Sequence, residues 1–454
     1  MMRVVRDPSW RDVGGDTVLA GSPLRLLRLT DRGRDVVQRA ETGIVAPVPV
    51  EERFLDRLIA AGAVHPVDGE GPYTNADVTV VMPVHGTWPR LPEAPRIVVV
   101  DDASEPPLVV PSGVAAELVR LDRNVGPGAA RSAGLATVDT ALVAFVDADV
   151  ELPAGWLDEL LGHFADPQVA AVAPRIASAG GPSVLEQYES AHSPLDLGGV
   201  PALVSPGARV SYVPTAVLVA RVDALRAVGG FDHDLRYGED VDLIWRLAGA
   251  GWRVRYEPRV VAHHTPRGSW TAWWNQRVGY GSSAASLASR HGDAVAPVRC
   301  NGWSLAVWAL ALTGRRSLGA AALGLAVGTG IVLRRRLPQL PSREAWRLVA
   351  RGHLLAGLQL ARATRRVWWP IALLTLLLGR RARLAVVAAV VAPMLASRDD
   401  TRREAGVVET ARRAAIGLAD DLAYGTGVWK GVIARRDGRA LLPAVSAWPP
   451  RDGG

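Results

Sequence analysis

The sequence predicts an α/β protein whose mostly parallel sheet is preceded by a small winged-helix-like module and followed by a basic, hydrophobic helical region. Two observations predict the sheet. Short apolar runs such as VTVVMPVHG (78–86) and IVVVDDAS (97–104) alternate with helical stretches, which is the pattern of a parallel α/β sheet. Polar residues follow several of these runs, and ligands of such sheets bind outside the carboxyl ends of the strands.

Length and composition predict three regions. With 454 residues the chain has room for two or three domains, which we place at 1–70, 76–300 and 301–454. The single cysteine, Cys300, excludes an intrachain disulfide framework and a cysteine-rich metal site. We expect no secretory signal, because the first residues are charged and lack an apolar segment.

Charge is distributed unevenly along the chain. The net charge is +7, but residues 301–454 hold 24 Lys+Arg against 9 Asp+Glu, whereas residues 1–300 hold 28 against 36. The last third is therefore basic and the part before it is acidic. An acidic front region argues against nucleic acid as a partner.

The N-terminal region predicts a small module of strands and helices. A strand-like piece at 16–20 precedes a helix capped by Thr30 or Asp31, and a second helix pattern covers 50–61. A short strand at 63–66 closes this winged-helix-like order. Such a module could offer a strand edge to a peptide. Alternatively, it is an extension that only packs against the main domain.

A glycine-rich loop follows the second strand of the predicted sheet. LDRNVGPGAARSAGLA (121–136) contains Asn124 and Gly126 and opens a helix from about Ala129. Arg131 lies in the first turn of this helix, where the positive end of the helix dipole favours phosphate or acidic groups.

The most informative stretch is ALVAFVDADVELPAGWL (141–157). Its apolar strand ends in Asp147 and Asp149, and an earlier strand ends in Asp101 and Asp102. Two carboxylates one residue apart offer hard oxygen ligands to Mg²⁺ or Mn²⁺, and the metal can hold a diphosphate. The alternative is a solvated acidic turn, but the four aspartates together indicate a nucleotide site.

A second cluster of carboxylates opens a later helix. Glu239, Asp240 and Asp242 lie in the first turn of GEDVDLIWRLAGAG (238–251). Acidic residues there also stabilise a helix dipole, so capping is the alternative explanation. The functional interpretation is that one of the three is a general base that takes a proton from an acceptor hydroxyl.

A histidine pair follows the next predicted strand, at 253–256. His263 and His264 come shortly after Pro258. A neutral imidazole from this pair could complete the metal shell that Asp149 begins.

Six motifs occur along the chain in the order PVHG, VDDAS, NVGPGAARSAGL, FVDAD, GGFD and GEDVDL. In this order and at these separations they resemble family 2 glycosyltransferases with a nucleotide-sugar-binding A-type fold, over about residues 77–290. Together with the loop residues, the resemblance implies a nucleotide-sugar site formed by Pro83, Val84, Asp101, Asp102, Asn124, Gly126, Arg131, Asp147 and Asp149.

The same resemblance implies the chemistry. Asp240 would be the catalytic base and Glu239 would bind the acceptor. Asp149 would hold Mn²⁺ or Mg²⁺ together with His264, or with His263 if the register differs. One base and a single displacement imply that the transfer inverts the anomeric configuration.

The N-terminal module narrows the resemblance further. Its sequence resembles the small peptide-recognition domains of the pyrroloquinoline-quinone biosynthesis type. Fused to a family 2 enzyme with a hydrophobic tail, it resembles the glycosyltransferases of mycofactocin systems. That family implies β-1,4-linked glucose transferred from UDP-glucose to a peptide-derived redox cofactor.

Two rival functions are also considered. A family 2 enzyme of cell-envelope lipid or polysaccharide synthesis would share every catalytic residue and would explain the basic hydrophobic tail. A non-catalytic scaffold for a peptide-modifying complex is disfavoured, because both the FVDAD aspartates and the GED carboxylates are present.

The C-terminal region combines apolar runs with arginines. Runs at 303–313, 317–332, 367–378 and 384–396 are punctuated by arginine clusters, and each run is shorter than the roughly 20 residues that span a bilayer. They could form interfacial or re-entrant helices, or a bundle that closes over the acceptor site. We expect association with the cytoplasmic face of the membrane.

Tryptophans precede this region. Trp270, Trp273 and Trp274 could stack on a sugar, lie in a membrane interface or pack in a core. Trp270 and Trp273 are the predicted acceptor-binding residues.

Overall fold

A computed structural model describes residues 3–43, 48–67, 69–396 and 406–446. The chain divides into two compact units, Met1–Gly268 and Ser269–Gly454. This boundary precedes the predicted one at 300, because the helix that begins at Trp270 packs against the last long helix of the chain.

The N-terminal module contains two small sheets and two helices. Strands β1 and β5 pair antiparallel, and β2, β3 and β4 form an antiparallel meander. The elements are β1 (Arg3–Arg6), β2 (Arg11–Gly14), β3 (Thr17–Ala20), β4 (Arg25–Arg28), α1 (Asp31–Thr42), α2 (Pro49–Ala60) and β5 (Val64–Val67).

The predicted helices and the strands near 16–20 and 63–66 are present in this module. The side chain of Thr30 caps α1 by accepting the Gly33 N–H. The sequence did not predict β1, β2 and β4, because four-residue strands flanked by charged side chains give no apolar run.

Salt bridges hold this module against the sheet that follows it. Arg209 donates to the buried carboxylate of Asp7 at 2.6 Å, and Asp7 also contacts His65. Arg253, at the start of strand β14 (Arg253–His264), pairs with Asp56 on α2. The module and the sheet therefore belong to one unit.

The central sheet has nine strands in the described part of the chain, and six of the nine run in the same direction. Strands β8, β7, β6 and β9 are parallel neighbours, β11 and β14 are parallel, and β13 lies antiparallel between β9 and β11. The remaining strands are β6 (Val78–Val84), β7 (Ile97–Asp101), β8 (Glu117–Arg120), β9 (Leu142–Val146), β10 (Val150–Glu151), β11 (Val169–Ser178), β12 (Ala202–Val204) and β13 (Val217–Arg221). The predicted mostly parallel α/β sheet is confirmed.

Helices cover this sheet because its central strands are apolar on both faces. Every residue of β9 is buried, as expected for a strand with helices on both sides. Gly134 lets one helix approach closely, since a Cβ there would lie 2.3 Å from the Val81 side chain. The helices are α3 (Pro127–Thr137), α4 (Trp156–Leu161), α5 (Val184–His192), α6 (Val222–Ala227) and α7 (Glu239–Gly249).

The second unit is mainly helical. Its elements are α8 (Trp270–Ser282), α9 (Ala284–His291), β15 (Arg299–Asn301), α10 (Gly302–Leu312), α11 (Arg316–Arg336), α12 (Ser342–Arg366), α13 (Trp369–Thr375), α14 (Arg380–Ala396), α15 (Val407–Arg435) and β16 (Ala444–Ser446). Helices α8 and α15 touch through glycines: a Cβ at Gly281 would lie 2.0 Å from the Tyr424 carbonyl oxygen, and one at Gly427 would lie 2.1 Å from that of Val278.

One helix among the described residues, α11, is long and apolar enough by length and composition to cross a membrane. It is longer than the apolar run at 317–332, because Arg334, Arg335 and Arg336 continue the helix. Only 11% of its most apolar window is buried.

Candidate active site

Three carboxylates and one arginine meet at the carboxyl end of β9, and a fourth carboxylate, Asp149, lies two residues further along the chain. Asp147 and Asp149 follow this strand directly, as the sequence predicted. Glu239 and Asp240 begin α7, and Arg131 reaches toward both groups from α3. The sheet topology therefore brings together residues that lie more than a hundred positions apart in the chain.

Arg131 is the buried centre of this cluster. Its Nη2 donates to Asp147 Oδ1 at 2.5 Å and its Nη1 donates to Glu239 Oε1 at 3.1 Å. Burial alone would lower the pKa of Arg131, but the charges of Asp147 and Glu239 raise it. Its guanidinium contacts both carboxylates and its side chain is 3% exposed, so a direct contact between Arg131 and the nucleotide sugar stays a prediction.

The two carboxylates at the start of α7 differ in their surroundings. Glu239 is buried and holds Arg131, whereas Asp240 is half-buried and accepts its one side-chain hydrogen bond among the described residues from the adjacent Val241 N–H. Burial, followed by the charge of Asp240, raises the pKa of Glu239 to about 7. Burial also raises the pKa of Asp240, against the opposing effects of the Val241 amide and Arg131. Asp240 is thus the more available of the two.

The third carboxylate of this turn has a different task. Asp242 is buried and accepts from Arg246 Nε at 2.8 Å. Arg246 also donates to the carbonyl oxygens of Val228 and Gly230. Asp242 therefore orients Arg246, which holds the backbone at and just before the GGFD turn.

Asp149 lies beside His264, where β10 pairs with the end of β14. The distance between Asp149 Oδ2 and His264 Nε2 is 3.3 Å. The register places Val150 opposite His264 and Glu151 opposite His263, and the side chain of His263 is exposed. The structure thus brings His264, of the two predicted histidines, to Asp149.

The donor types at this position suit a divalent cation. Burial alone would raise the pKa of Asp149, but the hydrogen bond and charge of His264 and the charge of Arg267 lower it, so the carboxylate stays ionised. No group of three or more His, Cys, Asp or Glu side chains that could hold a metal occurs among the described residues. Asp149 and His264 could hold Mg²⁺ or Mn²⁺ as two ligands, because such ions commonly take their other ligands from water and substrate phosphates.

Asp102 organises the loop on the predicted nucleotide side. Its two carboxylate oxygens accept the backbone N–H groups of Val125 and Gly126 at 2.7 and 2.9 Å. Asn124 donates to the Asp102 carbonyl oxygen at 3.4 Å. Gly126 has φ 86° and is the N-cap of α3, a backbone conformation that favours glycine. Asp102, Asn124 and Gly126 therefore lie together, and their contact with the nucleotide stays a prediction.

Asp101 is more deeply placed than its neighbour. It is fully buried, accepts the N–H groups of Ser104 and Leu108, and forms an ion pair with Arg120. Burial alone would raise the pKa of Asp101, but these partners lower it. Asp101 therefore positions the loop after β7, and its place in the nucleotide-sugar site stays a prediction.

Pro83 and Val84 end the first strand of the sheet. Val84 is buried in the core, and its carbonyl oxygen accepts the Asp102 N–H at 2.8 Å. Pro83 is half-buried. Of the two, Pro83 offers the more accessible side chain to a ligand.

The tryptophans that were predicted to bind the acceptor lie in the second unit. Trp270 is 52% exposed, whereas Trp273 is 1% exposed and lies against the Arg277 guanidinium. Trp273 is buried, and its contact with the acceptor stays a prediction. Trp270 contacts it edge to face.

Sequence reasoning missed two residues that shape the carboxylate cluster. A Cβ at Gly128 would lie 2.8 Å from Glu239 Cγ, so only glycine fits there without moving the glutamate. The Phe231 ring lies 5.7 Å from the Arg131 guanidinium and covers it. The available signals were a glycine just after the proline that opens α3 and the aromatic residue of GGFD.

Comparisons with known proteins agree with these features. Residues 142–396 match the model of glycosyl transferase family group 2. The pre-mycofactocin glycosyltransferases of two Mycobacterium tuberculosis strains are each 40% identical over 448 residues, which is 95% of this chain and 95% of theirs. The succinoglycan biosynthesis protein ExoA of Rhizobium meliloti is 32% identical over 71 residues, 16% of this chain and 22% of that protein.

Among solved structures, a mannosyltransferase from Pyrobaculum calidifontis in complex with GDP-Man and Mn²⁺ is 19% identical, with a TM-score of 0.35. The match covers 74% of this chain and 92% of that one.

Proposed function

Because the chain belongs to the pre-mycofactocin glycosyltransferases within glycosyl transferase family group 2, we propose that it transfers glucose from UDP-glucose to a peptide-derived redox cofactor of the mycofactocin type. The transfer is β-1,4-linked and inverts the anomeric configuration. The observation that carries this proposal is the Arg131 bridge, which joins an Asp147 carboxylate on the donor side to the Glu239–Asp240 pair on the acceptor side.

Asp240 acts as the general base in this proposal. Its carboxylate is half-buried and is held only by a neighbouring backbone amide among the described residues, so an acceptor hydroxyl can reach it. Burial raises the pKa of Asp240, which makes the carboxylate a better proton acceptor near neutral pH. Asp240 takes the proton while the acceptor oxygen attacks the anomeric carbon on the face opposite the diphosphate. A single displacement of this kind inverts the configuration.

Glu239 is the positioning partner of Asp240. Its side chain is fixed by Arg131 and by the close approach of Gly128. With Glu239 fixed, the first turn of α7 and hence the Asp240 carboxylate are held in one place. Fixed geometry matters, because a misplacement of about 1 Å can cost on the order of 100-fold in rate.

Asp149 and His264 would hold Mn²⁺ or Mg²⁺. When bound, the ion supplies Lewis-acid stabilisation of the charge that develops on the departing diphosphate. Asp102 keeps the 121–126 loop in place beside the nucleotide, and Pro83 offers the accessible side chain at the end of β6.

The remaining parts of the chain bind the acceptor and attach the enzyme to the membrane. The N-terminal module, fixed to the sheet through Arg209 and Arg253, binds a peptide segment of the acceptor. The basic helical unit attaches the enzyme to the cytoplasmic face of the membrane. The exposed apolar side chains of that unit and its excess of arginine support this location.

Mass spectrometry of a reaction with purified protein, Mn²⁺, UDP-glucose and small cyclised Val–Tyr-derived acceptors tests the proposal. Successive additions of one hexose mass are expected, and Asp240→Asn should abolish them while nucleotide binding persists. Transfer only to lipid or polysaccharide extract would favour an envelope enzyme instead. Full transfer by the Asp240→Asn variant would remove Asp240 as the base.

A further inference from the structure

One end of the helical unit exposes a compact group of leucines. They lie where α13 ends and the chain turns into α14, and we call them the leucine tip: Leu373, Leu374, Leu377 and Leu378. Their exposed fractions run from 56% to 80%. Four large apolar side chains that are exposed together at one turn form a patch that needs a partner, whereas scattered single ones would not.

Arginines surround this tip from two separate turns. Three follow it directly at the start of α14, and Arg381 Cδ lies 3.5 Å from the position that a Cβ on Gly314 would take. This contact brings the α10–α11 turn next to the tip. We call the five exposed arginines of the two turns the arginine collar: Arg315, Arg316, Arg380, Arg381 and Arg383.

The collar has no ion pair with any residue that the structure describes. Arg383 donates to the Leu376 carbonyl oxygen at 3.0 Å and so fixes the turn of the tip. The wider sequence offers little negative charge, because the stretch between Asp293 and Asp399 contains sixteen arginines and one acidic residue, Glu344. The positive charge of the collar is therefore available to a ligand.

We propose that the leucine tip inserts into the boundary between headgroups and acyl chains of an anionic membrane while the arginine collar binds lipid phosphates. This deepens the membrane location in the proposed function and rests on it. Apolar side chains ringed by arginines are the pattern of interfacial membrane binding. A second copy of the chain fits poorly, since a symmetric contact through this end would bring two collars of like charge together.

Flotation of the purified full-length protein with vesicles tests this inference. Vesicles of phosphatidylcholine with phosphatidylglycerol are compared with vesicles of phosphatidylcholine alone. The collar variant is R315Q/R380Q/R381Q and the tip variant is L377S/L378S. The matched control, R334Q/R335Q/R336Q, removes the same charge at the other end of α11, roughly 30 Å away by the rise of a helix.

Wild-type protein and the control are expected to float with the anionic vesicles and not with the neutral ones. The collar variant should bind about 100-fold more weakly, since each arginine near an anionic surface contributes about fivefold. The tip variant should also lose binding.

Three results would overturn the inference. The first is an equal loss of vesicle binding in the collar variant and the control. The second is vesicle binding that does not depend on phosphatidylglycerol. The third is resistance of the wild type to alkaline extraction, which would indicate that α11 spans the bilayer. Transfer to a soluble acceptor is measured on the same samples. If the wild type binds the vesicles but transfers no hexose, the result would contradict the proposed transferase function and not the membrane inference.

Discussion

Arg131 offers the most direct test of how the active site is held together. Replacing it by methionine keeps much of the side-chain volume but leaves Asp147 and Glu239 without their shared partner. Both carboxylates, together with Asp240, would then lie in one partly buried cluster without a compensating positive charge. The variant therefore separates the electrostatic task of Arg131 from its packing.

The structure sets the size of the effect. Removing one partner of a buried ion pair costs about 3–5 kcal/mol, and Arg131 and Glu239 are 3% and 9% exposed, whereas Asp147 is 28% exposed. Water around Asp147 and protonation of Glu239 both limit the loss. We therefore expect the free energy of unfolding to fall by about 3 kcal/mol, which corresponds to a lower Tm by about 6–12 °C.

The catalytic consequence has a definite sign. Arg131 opposes the rise in the pKa of Asp240, so its removal raises that pKa further. The acid limb of the kcat/KM–pH profile, below which the base is protonated, should therefore move to higher pH. Arg131→Lys retains the positive charge but cannot bind both carboxylates with the two-pronged geometry of a guanidinium. The acid limb should therefore stay close to its wild-type position, whereas kcat should fall.

Thermal denaturation and pH-rate profiles of the two variants test whether Arg131 acts as the counter-ion of these carboxylates. A methionine variant with a wild-type acid limb and a loss below about 1 kcal/mol would refute the role of Arg131 as counter-ion. A lysine variant indistinguishable from the methionine variant in its pH profile would refute it equally.

Three further predictions concern the same cluster. Relative to the wild type, Glu239→Gln should be more stable above pH 7 than below pH 4.5, because it removes the free-energy cost of ionising a buried carboxyl group. The sign follows because the folded pKa of about 7 lies above the usual 4.5, so wild-type stability falls as pH rises between them; denaturation midpoints at pH 4 and pH 8 test this. Gly128→Ala should lower kcat at least tenfold, because the added Cβ would lie 2.8 Å from Glu239 Cγ and displace that side chain. An unchanged kcat would contradict the positioning role of Glu239. Asp149→Asn and His264→Ala should each weaken Mn²⁺ binding measured by calorimetry at least about 10-fold, since even outer-shell partners of a metal typically contribute about 10–100-fold. His263→Ala, the matched control, should not weaken it.

Local sequence patterns predicted β6, β7, β9 and β11 because these strands are apolar runs. They did not predict β8, whose two ends are the exposed charged residues Glu117 and Arg120. The β9 strand and the aspartates after it are visible as an apolar run followed by Asp147 and Asp149. The order of strands is not visible locally. The antiparallel insertion of β13 between β9 and β11 depends on pairing between distant segments, which no single run records.

The same distinction explains which contacts between site residues could be anticipated from the sequence. Asp102 and Gly126 were predicted from a strand end and a loop, and the structure joins them. Arg131 was predicted to bind the nucleotide sugar, and the local feature behind this prediction was its position near a helix N-terminus, which favours phosphate or acidic groups. Its two carboxylate partners come from other elements, so its burial could not be read from the sequence around it.

The glycine contacts between α8 and α15 join helices that lie far apart in the chain, so this packing can form only late in synthesis. Helix α8 finds its partner only when α15 has been made, and 124 residues separate Ser282 from Val407. At about 5–20 residues per second the ribosome needs roughly 6–25 s for that stretch. During this interval α10 to α14, with their exposed leucines and arginines, emerge before the helix that closes the unit. The apolar helices of the nascent chain are therefore exposed before the second unit can finish folding.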